Sequence, residues 1–124
     1  MKTTIKQLLD MAQGIAMMRN SGQPIPVKFA WALGINAKRI IPLAQVAEEL
    51  RQQLIAKYSQ KDERGEPVII DGNFQMADAA AFAREMAPQV AEEVEIDLHM
   101  VDIDHLPASI ELGVLELLAP MIRE

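Results

Sequence analysis

The chain has 124 residues, with 12 Lys and Arg against 18 Asp and Glu, half its residues hydrophobic and no Cys. That length supports one domain with a single core, and the missing thiols exclude zinc–thiolate sites, iron–sulfur clusters, cysteine nucleophiles and disulfides. A net charge of −6 opposes unaided binding to a nucleic-acid backbone, because phosphate contacts depend on Lys and Arg displacing counterions. No apolar run reaches the ~18 to 20 residues that span a bilayer. The start Met1–Gln7 lacks the apolar stretch of a signal peptide, so a cytoplasmic protein is expected.

Thr3 or Thr4 is placed to cap a first helix, in which Ile5, Leu8, Ala12 and Ile15 recur with helical spacing to about Asn20. Asn20-Ser21-Gly22-Gln23-Pro24 then supplies a left-handed residue and a proline, which end one helix and turn the chain toward another. The second helix is expected from near Pro26 to about Tyr58. Along it Leu33, Ile40, Ala47 and Leu54 repeat every seven residues, with Asn36, Leu43, Leu50 and Lys57 as the companion register. The pair of helices therefore reads as an antiparallel hairpin with a coiled-coil-like seam. Pro42 is expected to kink the long helix, and Asn36 either fixes register in the seam or is solvated beside Gly34.

The polar segment Lys61–Pro67 reads as an exposed connector, after which the hydrophobic period changes. Val68-Ile69-Ile70 and Phe74-Gln75-Met76 flank Asp71-Gly72-Asn73, a β-hairpin signal. Asp78 is placed to cap a third helix through Ala91, bent at Pro88. Val94-Glu95-Ile96-Asp97-Leu98-His99-Met100 alternates without error, so Val94, Ile96, Leu98 and Met100 should face the core. Ser109 is the expected cap of a last helix through Leu112, Leu115, Leu118 and Met121. The implied fold is α+β: a helical hairpin (residues 1–60), then an acidic part (61–124) with one antiparallel sheet of about three strands and helices packed on its apolar face.

Charge divides along the chain. Residues 1–61 carry nine basic and three acidic residues, a net +6, whereas residues 62–124 carry three basic and fifteen acidic, a net −12. Either the two parts interleave in space and the acids serve solubility, or an acidic face docks on a basic surface of another protein. The residues of such a face are Glu92, Glu93, Glu95, Asp97, Asp102 and Asp104. Apolar contact with a partner or a second copy is expected from Phe29 and Trp31, in a run apolar on every side, and from Met17 and Met18.

No catalytic pattern emerges. His99 and His105 beside Asp97, Asp102 and Asp104 would suit a nitrogen–oxygen metal site, but their spacing matches no metal motif and a solvated strand face explains them. The acids offer no distinguished pair for glycoside chemistry. Neither G-x-G-x-x-G nor G-x-x-x-x-G-K-[ST] occurs. No cofactor and no enzymatic activity are expected.

The stretch Leu54–Val68, a helix ending in Lys57-Tyr58 followed by Lys61-Asp62-Glu63-Arg64-Gly65 and a strand, resembles small bacteriophage-encoded proteins grouped as a domain of unknown function. Val94–Leu98 before Leu106-Pro107, and the ending Leu117-Leu118-Ala119-Pro120-Met121-Ile122, are similar to the same layout, so the resemblance spans nearly the whole chain. It implies a phage or prophage origin in a bacterial cytoplasm, with no catalytic residues to carry over. Two binding roles follow as expectations. One is an inhibitor whose acidic face occupies a host nucleic-acid-handling or anti-phage defence protein. The other is a virion structural or assembly protein that self-associates through the helical hairpin.

Overall fold

The computed structural model describes residues 2–123. Its frame is a pair of helices, α1 (Ile5–Asn20) and α2 (Val27–Tyr58). Of the two candidate caps for α1 the chain uses Thr4, whose hydroxyl accepts from Gln7 N while the Gln7 side chain accepts from Thr4 N, a reciprocal capping box. Gly22 takes φ +71°, the left-handed turn that ends α1 and reverses the chain. α2 runs unbroken through Pro42.

Leu8, Met11, Ile15 and Met18 of α1 pack against Phe29, Ala32, Leu33, Ala37 and Ile40 of α2 to form most of the core. Helix α4 (Leu112–Leu118) and the 3₁₀ turn after it complete that core with Val114, Leu118 and Met121. Gly14 permits the approach of α4: a Cβ there would lie 2.8 Å from Leu118 Cδ2 and 2.9 Å from Cγ. The expected cap of α4 is corrected. Glu111 occupies the cap position, and the Ser109 hydroxyl instead donates to Gln23 Oε1 at 2.7 Å.

The expected single sheet is replaced by three two-stranded ladders. β1 (Lys2–Thr4) pairs antiparallel with β4 (Glu93–Glu95), β2 (Ile69–Ile70) with β3 (Asn73–Phe74), and β5 (Val101–Asp102) runs parallel to β6 (Ile122–Arg123). The β2–β3 turn is tighter than expected, because Asp71 (φ +53°) and Gly72 (φ +79°) both adopt positive φ, as a two-residue hairpin loop of the primed kind demands.

The alternating segment 94–100 keeps its alternation of burial but not its ladder. Ile96 and Leu98 are buried, Asp97 and His99 exposed. Past Glu95 its partner is a helix. Asn36 is fully buried, donating from Nδ2 to His99 O at 2.9 Å and accepting from His99 N at 2.7 Å. One side-chain amide thus satisfies both backbone groups of a residue that pairs with no strand among the described residues, and the solvated alternative for Asn36 is overturned. Arg39 Nη1 adds a bond to Asp97 O at 2.8 Å.

Helix α3 (Ala79–Ala91), capped by Asp78 Oδ1 on Ala81 N at 3.0 Å, lies on the later part of α2 and contains Pro88 without ending there. None of its residues is buried.

Candidate functional site

The difference in helix length creates an apolar surface feature. At 1.5 Å per residue, the 32 residues of α2 extend about 48 Å, roughly twice the reach of the 16-residue α1. The companion register therefore leaves the core once α1 ends: Asn36 is buried, but Leu43 is 37% and Leu50 42% exposed, with Val46 between them at 55%. α3 covers this stripe only partly. Between them lies a groove of about 220 Å³, floored by Leu43, Val46 and Leu50 and walled by Met86, Val90 and Val94, with Arg51 and Glu92 at its polar margin.

The carboxylates continue from that margin. Glu92, Glu93, Glu95 and Asp97 are all exposed. Because side chains alternate along extended chain, Glu93, Glu95 and Asp97 share the outer side while Val94 turns toward the groove. Part of this charge is answered from within. Arg39 lies 3.5 Å from Asp97 Oδ2, and Lys2 stands opposite Glu95 in the β1–β4 register. Asp102 is committed elsewhere, accepting from Arg123 Nε at 2.7 Å with His105 Nδ1 at 3.9 Å. The Arg123 hydrogen bond holds the Asp102 carboxyl below the usual range against partial desolvation, with help from the charges of His105 and Lys28. Asp104 is exposed on the 3₁₀ turn Ile103–His105.

The apolar candidates divide as well. Phe29 and Met18 are core residues, at 0% and 2% exposure, so they are corrected from contact residues to packing residues. Trp31 is 66% exposed and Met17 41%. They serve different surfaces: Met17 borders a cleft with Ser109 and Glu111, whereas Trp31 lines a shallow groove with Lys28, His99, Asp102, His105 and Arg123. Among the described residues no group of three or more His, Asp and Glu side chains is arranged to hold a metal ion.

A cluster that sequence reasoning missed anchors α3. Glu85 Oε1 accepts from the Tyr58 hydroxyl at 2.7 Å and from Lys57 Nζ at 3.2 Å, with Lys57 5.0 Å from the centre of the Tyr58 ring. The Tyr58 hydrogen bond, then Lys57, keeps the Glu85 carboxyl below its ordinary range, while Tyr58, then Glu85, raises Lys57 above its own. Lys57-Tyr58 is conspicuous in the sequence, but its partner 27 residues on is not. The groove did carry a signal, a heptad register that outlasts the shorter helix.

Comparison with protein-family models, with curated proteins and with solved structures finds no match. No helix among the described residues is long and apolar enough to cross a membrane.

Proposed function

We propose that the protein is a non-enzymatic binding protein of phage type, acting in the bacterial cytoplasm, whose acidic edge docks on the basic surface of a nucleic-acid-handling or anti-phage defence protein and inhibits it. The observation that carries this reading is the junction of groove and edge: Glu92 and Val94 border the apolar groove while Glu93, Glu95 and Asp97 stand exposed beside it. An apolar centre with a charged rim is the usual anatomy of a protein interface. The sign of the rim selects a basic partner and speeds encounter with it. The resemblance to phage-encoded proteins supplies the setting.

The test is capture from bacterial lysate at low and high salt, beside the variant Glu93→Gln/Glu95→Gln/Asp97→Asn. The expected result is a nucleic-acid-binding protein retained at low salt and released at high salt, whose binding to nucleic acid is blocked by the wild type and not by the variant. Retention that ignores both salt and the three substitutions sinks the proposal.

One observation favours a second reading, a virion structural or assembly protein that self-associates. Leu43, Val46 and Leu50 form an exposed stripe at helical spacing on the second helix of the hairpin. Light scattering separates the two: a dimer that Val46→Glu dissociates and the carboxylate variant leaves intact supports self-association.

A further inference from the structure

We propose that the shallow groove beside Trp31 binds a small aromatic anion, a planar ring joined to a phosphate as in a nucleoside monophosphate. The groove measures about 380 Å³, within the range of small-ligand sites. Its apolar shelf is Val27 and Trp31, one turn apart on the first turns of α2 and 83% and 66% exposed. An indole open to this degree beside basic side chains offers a face for an aromatic ring. The cations are Lys28, three residues before Trp31 on the same helix, and Arg123.

Part of the lining is held by contacts within the chain. Asp102 takes only Nε of Arg123, and the two terminal guanidinium nitrogens have no hydrogen bond among the described residues, leaving donors for a phosphate. Asn36 holds the backbone N and O of His99, which fixes the chain that passes along the groove. Lys28 and Arg123 thus stand against the single carboxylate of Asp102, which Arg123 already pairs, leaving one basic charge in excess at the groove in a chain whose net charge is −6. That overall charge favours a free monophosphate over the same unit within a strand, whose many phosphates it repels. This site shares no residue with the apolar groove, so it stands or falls independently of the proposed docking function.

Trp31 is the only tryptophan, so its fluorescence reports this groove directly. The full chain is titrated with adenosine monophosphate, adenosine, inorganic phosphate and a 5′-phosphorylated single strand of deoxyadenosines. The expected result is saturable quenching by the monophosphate, about tenfold weaker binding of adenosine and of phosphate, and a loss of roughly fivefold or more in Lys28→Gln, which retains the fluorophore. Lys28 is exposed, so the variant keeps the fold, and an unchanged melting curve verifies that. Absence of saturable quenching at millimolar monophosphate overturns the proposal, as does equal affinity in Lys28→Gln. A strand that binds more tightly than the monophosphate overturns the assignment to a free ligand.

Discussion

Residues 60–95 and the rest of the described chain are built on different terms. From Gln60 to Glu95 no residue is buried, although the segment contains a hairpin, a 13-residue helix and a strand. Elsewhere α1, the first half of α2, segment 96–101 and α4 share one core. Backbone bonds tie the sparse segment to the rest of the chain through Ala77 N on Tyr58 O and through Glu92 O, which accepts from Ile5 N. Between these anchors α3 is held by the Glu85 cluster and by half-buried side chains of its own such as Phe82 and Met86. Regions with few buried contacts open at lower free energy than the core, and here such a region flanks the apolar groove. The frame supplies stability, and the segment laid over it is the part expected to open first.

The sharpest way to break that contrast is to truncate a large side chain in each region. Phe29→Ala, at 0% exposure, should cost about 3 to 5 kcal/mol, whereas Phe82→Ala in α3 should cost about 1 kcal/mol because its ring is only half-buried. Denaturant unfolding measures both. Equal losses would mean that α3 belongs to the core after all.

Asn36→Ala comes next, at about 2 to 3 kcal/mol, since it strips His99 N and O of their partners beside the core. Hydrogen exchange of the His99 amide is the direct check, and unchanged protection would contradict the bracket. Gly14→Ala follows. Alanine favours a helix by roughly 1 kcal/mol over glycine, but the added methyl meets Leu118 below 3 Å, and overpacking costs about 1 to 3 kcal/mol. A net destabilisation is expected, and a raised melting temperature would show that α4 yields easily.

How much of this was legible follows from the range of each signal. Helix boundaries were readable because Thr4, Gly22, Pro26 and Asp78 act on their own neighbourhoods. Ladders were not. β1 has three residues, too few for a period, and its partner β4 lies some 90 residues on. The alternation of 94–100 predicted burial correctly and pairing incorrectly, because an alternating apolar face fits a helix as well as a strand. In Phe29–Leu33, apolar on every side, helical phase decides the outcome: Phe29, Ala32 and Leu33 turn to α1 and Trp31 turns away. Which half of α2 would be covered depends on the relative lengths of two helices, a property of neither alone.

The smallest effect tests whether the two regions separate at all. The Tyr58 hydroxyl and Lys57 hold the Glu85 carboxyl below its ordinary value near 4.5. A depressed folded value means that this contribution is complete above the ordinary carboxylate range and is lost as pH falls through the folded value. Lys57, raised above 10.5, has the opposite sense: its share is present below that value and disappears as pH rises through the folded one. The anchor of α3 is therefore intact across neutral pH and weakens at both extremes. Because the pair is exposed, its effect is modest and salt-screened. Followed by NMR from pH 7 to 3, the Met86 methyl on α3 should shift before Met11 and Met121 in the core, and Glu85→Gln should abolish that early step. If all three methyls move together, α3 loosens only when the core does, and the groove beside it is as rigid as the frame.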